Sequence, residues 1–238
     1  MLFFYIRHGD PIYDPNSLTP LGKRQAEAIG KRLALYGIDK IFSSTSERAI
    51  QTAVPTCEML KKEPTLLDFC NESHAWEELT TETKKGYKTW LFHDTDTKLL
   101  FNDVSIRSLG DNWYEHPLLK DYNYKKGIDR IYKYSDEFFA SLGYEHIRHS
   151  GKYKVTESNN DRIALFAHQG FGLAFLSCVL DIPYPMFATH FDMCHTGMTV
   201  IEFNEEQGFS IPKILTLSSD SHLYREGLAT NYNNALRF

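Results

Sequence analysis

Apolar and polar positions along the first third of the chain follow the rhythm of alternating strand and helix. Leu2-Phe3-Phe4-Tyr5-Ile6 is apolar without interruption, the pattern of a strand buried on both faces. Thr19 and Pro20 then supply an N-cap and a first-turn proline. Leu21, Ala28, Ile29 and Leu33 point inward on a helix running to about Leu35, which Gly37 ends. Ile38 to Phe42 predicts a second strand, and Ser46 with Glu47 opens a second helix to about Lys62. Pro55 is expected to bend that helix or delay its start. Leu66 to Phe69 is a third candidate strand.

From about Ser73 to Asn160 the rhythm lapses into aromatic, charged and polar residues. One convincing helix lies here, near Tyr124 to Leu142, with Ile128, Ile131, Tyr134, Phe138 and Leu142 on one side. Thr80 to Pro117 is ambiguous, and so long a loop-rich stretch suits a functional lid better than a connector. Gly151 to Asp161 is polar and reads as a surface loop or hairpin. Order returns with a strand at Arg162 to Ala167 and an apolar helix at Phe171 to Leu180. Met198 to Phe203 and Ile211 to Leu217 are strands joined by a turn at Asn204 to Gly208. The expected architecture is α/β, a single domain over 1–238 with an insertion at about 73–160 as a lid or cap. A chain of 238 residues can bury one substantial core of that kind.

Two of these strands end in histidine with glycine close behind, at Arg7-His8-Gly9 and at His168-Gln169-Gly170. In an open α/β sheet, ligands bind outside the carboxyl ends of strands, beside helix N-termini that favour anions. His8 and His168 can therefore meet across neighbouring strand ends. Ser43-Ser44-Thr45-Ser46-Glu47-Arg48 brings another guanidinium to the same edge. Arginine reads phosphate in a bidentate way, and a neutral histidine can attack phosphorus. Two arginines and two histidines at one rim suit a dianionic tetrahedral group.

These residues resemble the histidine phosphatase superfamily, the phosphoglycerate-mutase-like group. Arg7-His8-Gly9 matches its signature, with Asp10 where Glu is commoner. Thr19-Pro20-Leu21-Gly22 with Gln25-Ala26 matches its first helix. Ser43-Ser44 with Arg48-Ala49 and Gln51-Thr52-Ala53 matches its Ser-Ser…Arg-Ala-x-x-Thr-Ala element. Ala167-His168 with Gly170 matches its second histidine, and Ser221-His222-Leu223 more weakly resembles its C-terminal segment. Gln169 replaces the Asp of the acid-phosphatase branch, so the branch without the His-Asp motif is implied. The implied fold is a three-layer α/β/α phosphoglycerate-mutase-like fold with a mostly parallel central sheet.

The resemblance implies that His8 carries a transient phosphohistidine. Arg7, Arg48 and His168 hold the phosphoryl oxygens, with Gln169 beside them. A carboxylic acid must protonate the leaving oxygen. Asn71-Glu72-Ser73-His74 resembles the mutase form of that element and makes Glu72 the favoured acid, with Glu78 and Glu77 beside Trp76 as alternatives. The cationic cluster stands where other phosphoryl-transfer sites use a metal, so neither metal nor cofactor is expected. His190 and His195 bracket Asp192, but no third ligand at suitable spacing joins them. They and the other histidines, including His93, His146 and His222, read as surface or interface residues.

The leading function is hydrolysis of a small-metabolite phosphomonoester. A phosphoglycerate-type mutase and a phosphate-binding regulatory module are the alternatives. A net charge of −5 gives no reason to expect nucleic acid or membrane as partner. A homodimer is compatible with the aromatic middle. Four scattered cysteines without a Cys-x-x-Cys pair, and an apolar run broken at Arg7 and Asp10, point to a reducing, cytoplasmic location.

Overall fold

A computed structural model describes residues 1–232. Its centre is a six-stranded sheet made of β1 (Leu2–Arg7), β2 (Lys40–Ser44), β3 (Thr65–Leu67), β4 (Arg162–Ala167), β5 (Met198–Glu202) and β6 (Lys213–Ser219). The spatial order is β6-β5-β1-β4-β2-β3. β1 pairs parallel with β4, β4 with β2 and β2 with β3, while β5 runs antiparallel to β1 on one side and β6 on the other. The ends of β1, β4 and β2 therefore lie side by side at one edge of the sheet.

The uninterrupted apolar character of β1 has its reason in the two layers it separates. Phe3 and Tyr5 face one cluster with Ile163 and Leu165, while Phe4 and Ile6 face the other with Ala164 and Phe166. Helices α1 (Pro20–Tyr36) and α2 (Glu47–Leu60) cover the second face through Ile29, Leu33, Ala53 and Cys57. Helices α4 (Tyr124–Ala140) and α5 (Gln169–Val179) cover the first, with Phe139 5.2 Å from Phe3 and Phe138 5.1 Å from Phe42 between ring centres. Each layer buries an apolar stripe against the sheet, and this gives the three-layer α/β/α arrangement.

Helix α1 starts as its sequence dictates. The Thr19 hydroxyl accepts the Gly22 N–H, Pro20 fills the first turn, and Gly37 closes the helix at φ 71°. Pro55 lies inside α2 without delaying its start, and its missing N–H leaves the Gln51 carbonyl without the usual partner. The third strand is shorter than expected, because Asp68–Cys70 turns into a 3₁₀ helix directly after Leu67. A further helix, α3 (Glu72–Glu78), follows, capped by the Asn71 side chain on the Ser73 N–H.

The stretch 73–160 has more structure than its pattern suggests. Thr80–Glu82 and Lys88–Trp90 form a small hairpin, and short helices occupy Thr95–Phe101 and Val104–Arg107. Helix α4 belongs to the core layer, although Tyr134 is 37% exposed rather than inward. Lys152–Val155 is a strand between Tyr144–Ile147 and Phe209–Ser210 in a second, four-stranded sheet. The expected plain turn at Asn204 to Gly208 is consequently a hairpin, Glu205–Glu206 with Phe209–Ser210, that reaches this sheet.

His146 fastens the second sheet to the core with a buried side chain, contrary to its expected surface position. Its Nδ1 lies 2.8 Å from Asp136 on α4 and its Nε2 3.1 Å from Asp181 beyond α5. Burial alone depresses its pKa, but the hydrogen bonds to the two aspartates outweigh this and push it up to about 9. A raised pKa stabilises the fold fully below about pH 6.5, and that contribution is lost as pH rises through about 9. Urea midpoints compared at pH 6 and pH 10 should therefore fall by about 3 kcal/mol in stability. A His146→Gln chain should be weaker at pH 6 and should lack most of that slope. An unchanged slope in the variant would refute the assignment.

Candidate active site

The structure brings His8, Arg7, Arg48, Glu72 and Gln169 to the lining of one cavity of about 600 Å³, at the ends of β1, β4 and β2. His168, immediately after β4, lies behind this lining with its ring centre 5.2 Å from that of His8. The backbone ladder places them, since the His8 N–H donates to the Ala167 carbonyl at 2.9 Å. Tyr5 fixes His168 from below: its hydroxyl donates to the His168 carbonyl at 2.6 Å and accepts the His168 N–H at 3.2 Å.

The matched motif residues form the scaffold of His8. Gly9 donates its N–H to the Thr52 hydroxyl, which donates onward to the Arg48 carbonyl. Asp10 donates its N–H to the Gln25 side chain, and Leu18 to that of Gln51. A Cβ on Gly22 would stand 2.2 Å from the Asp10 carbonyl oxygen, so α1 can approach this loop only with glycine there.

Nδ1 of His8 lies 2.7 Å from the carbonyl oxygen of its neighbour Gly9. A carbonyl only accepts, so Nδ1 carries the ring proton and Nε2 keeps its lone pair. Burial pushes the His8 pKa well below the usual range, and the charges of Arg7 and Arg48 act in the same direction. The ring is thus held neutral in one tautomer. Burial likewise keeps His168 neutral, helped by the same arginines. Its Nε2 meets the Ser44 hydroxyl at 2.8 Å, while Nδ1 is buried with no hydrogen-bond partner among the described residues.

Arg48 reaches the pocket from the first turn of α2, with its Nη1 on the Asn16 side chain at 3.1 Å and the Tyr13 ring 5.5 Å away. It forms no ion pair among the described residues, and its buried Nε has no partner there. Arg7 is fully buried. One Nη donates to the Met193 carbonyl at 2.5 Å, and the other to Nε2 of His195 at 2.9 Å. His195 is in turn 3.5 Å from Asp10, whose carboxylate also accepts the Thr19 hydroxyl at 2.6 Å. His195, expected at the surface, is therefore a buried neighbour of Arg7 that orients it. His93 also lines the cavity, where burial lowers its pKa.

Glu72 opens α3 and points at the N-terminus of α5. One carboxylate oxygen accepts the Gly170 N–H and the other the Phe171 N–H, each at 2.9 Å. Burial raises its pKa against the pull of these two bonds and of both arginines. The remaining glutamates lie elsewhere. Glu77 is exposed, and Glu78 receives Arg130 through Nε on both oxygens at 2.9 Å. Gln169 lines the pocket while its amide donates to Asp192. His190 bonds Asn102 instead of joining His195, and no three His, Cys, Asp or Glu side chains among the described residues are grouped to hold a metal.

Fold and site together define an α/β/α protein with paired histidines and arginines at the carboxyl edge of its sheet. Residues 4–108 match the model of the histidine phosphatase superfamily (branch 1). The fold of the chain is similar to that of phosphoserine phosphatase from Entamoeba histolytica solved with 3-phosphoglyceric acid. The TM-score is 0.59 and the identity 18%, over 93% of this chain and 98% of that one. A mycobacterial glucosyl-3-phosphoglycerate phosphatase solved with VO3 gives a TM-score of 0.58 at 17% identity, over 92% and 99% of the two chains. The alpha-ribazole phosphatase of Shigella flexneri gives 0.58 at 17%, over 92% and 96%. At such identities the likeness carries the fold. No curated protein matches the sequence.

Proposed function

We propose that this chain is a metal-independent phosphomonoester hydrolase working through a phosphohistidine on His8. The observation that carries this is the Nδ1 contact to the Gly9 carbonyl, which leaves Nε2 as a neutral nucleophile in a cavity lined by Arg7 and Arg48. The Nε2 lone pair attacks phosphorus as the bond to the leaving oxygen breaks, and Glu72 gives that oxygen its proton. Arg7, Arg48 and Nδ1 of His168 hold the three other oxygens, and the two guanidiniums supply the positive charge that a divalent cation contributes elsewhere. Glu72 then takes a proton from water, which attacks phosphorus and returns the electron pair to Nε2. The raised pKa of Glu72 supports the acid role in the first step.

Phosphatase activity in the structural neighbours supports hydrolysis over transfer. Ser73, Trp76, Thr89, Trp90 and His93 line the cavity, which supports a cap role for the insertion at about 73–160 of the single domain. Among the described residues no helix is long and apolar enough to cross a membrane. The four cysteines are buried and unbridged, which supports a reducing, cytoplasmic setting.

The test is release of phosphate from p-nitrophenyl phosphate with and without a chelator, with base-quenched protein analysed for a phosphoryl group. Turnover is expected to be insensitive to the chelator, with an acid-labile, base-stable phosphoryl group on His8. Abolition by the chelator would overturn the metal-free route, and a phosphoryl group on any other residue would overturn the nucleophile.

A further inference from the structure

Beyond the phosphoryl end, the cavity is built from rings and uncharged polar groups. Trp76 on α3 and Trp90 on the hairpin form its wall, their centres 5.0 Å apart with planes at 82°. Trp90 is only 7% exposed and stacks on Phe92 at 5.6 Å, so this wall is rigid. Tyr13, 61% exposed, adds a third ring. Asn16, Asn71, Ser73 and Thr89 contribute the polar groups. The side chains of the lining that carry charge while substrate is bound are Arg7 and Arg48, since burial keeps His8 and His93 neutral and raises the pKa of the acid Glu72. Lys88 stands 5.7 Å from the Trp76 ring centre but is not part of the lining.

A dianionic phosphoryl group occupies both guanidiniums. A second anion on the leaving group, such as a carboxylate, would then lie in a partly enclosed space whose lining offers it no further cation. A planar ring, in contrast, finds aromatic faces that accept stacking without demanding hydrogen bonds. A cavity of about 600 Å³ has room for such a group beside the phosphate.

We propose that the substrate is a monoester whose leaving alcohol is uncharged and carries a planar ring seated on Trp76 and Trp90. This rests on the phosphatase reading and goes beyond it in naming the substrate class. It departs from the carboxylate-bearing 3-phosphoglyceric acid bound to the amoebal neighbour.

Benzyl phosphate, glycerol 1-phosphate and 3-phosphoglycerate are primary alkyl esters of similar leaving ability, so they separate ring from charge. The kcat/KM for benzyl phosphate is expected to exceed that for 3-phosphoglycerate by about tenfold or more, with glycerol 1-phosphate between them. Trp76→Ala should cost benzyl phosphate about fivefold or more, and glycerol 1-phosphate less. Equal or better use of 3-phosphoglycerate would overturn the inference, as would an equal loss on all three esters in Trp76→Ala. A 3-phosphoglycerate preference that falls in Lys88→Ala would assign carboxylate recognition to that lysine instead.

Calorimetric titration of the unaltered chain with the same esters keeps the two proposals distinguishable. If none is turned over, hydrolysis is refuted. Benzyl phosphate binding about tenfold tighter than 3-phosphoglycerate still supports the ring-bearing class, and the reverse order overturns it.

Discussion

A His8→Ala chain is expected to stay folded and to release phosphate from a monoester at least about 10⁴-fold more slowly than the unaltered chain. The size of the effect follows from the role: without Nε2 the two-step route through a covalent intermediate is closed. Water would then have to attack a phosphoryl group held only by Arg7, Arg48 and His168. Folding should survive, because the ring's hydrogen bond is local, to the next residue's carbonyl, and no buried carboxylate depends on it. Intact thermal unfolding together with lost turnover is the expected pair of results. Turnover within tenfold of the unaltered chain would remove His8 from the nucleophile's role.

The second large effect is expected at Glu72→Gln, with turnover of alkyl esters lowered about 10²–10⁴-fold. The amide keeps the shape but can accept through one atom only, so either the Gly170 or the Phe171 N–H loses its acceptor. That costs about 1–3 kcal/mol of stability. A purely structural role would depress all substrates alike. An acid would matter most where the leaving group is poor, so benzyl phosphate should suffer more in the first step than p-nitrophenyl phosphate. With the latter, a burst of nitrophenolate followed by a slow phase is expected, because water then lacks its base. Equal losses without a burst would leave Glu72 as an anchor alone.

The pH profile follows from the same groups. Glu72 has a raised pKa, so its acid form persists above the usual carboxyl range and activity falls as pH rises through that value. His8 has a lowered pKa, so its neutral form survives well into acid before protonation removes it. The optimum of kcat/KM should therefore lie on the acid side.

Much of the core was legible because its signals are local. The apolar run of β1 and the Thr19-Pro20 start of α1 need only neighbouring residues to be interpreted. The gathering of His8, His168, Arg7 and Arg48 was also legible, since strand ends are where such sheets bind anions. Other parts depend on distant partners. Glu72 and Glu78 share a helix, and what separates them is Arg130 on α4, which engages one and leaves the other to α5. Helix α3 is short and polar, with only Ala75 fully buried, so no period betrays it. His195 lies in a segment without regular structure, and its contacts with Arg7 and Asp10 join residues almost two hundred positions apart. The second sheet was hidden for the same reason: Lys152–Val155 looks like a polar loop until Phe209–Ser210 pairs with it.

Trp90 and Gly170 meet so closely that a Cβ on Gly170 would stand 2.4 Å from the indole. The same glycine gives its N–H to Glu72 and sits two residues from His168. A wall residue and the backbone beside the candidate site thus share one fixed volume. Diversification of this pocket is consequently channelled. Position 170 can take a side chain only together with a smaller residue at 90, so new specificities are more accessible through Ser73, Trp76 and Thr89, whose replacement leaves that contact in place.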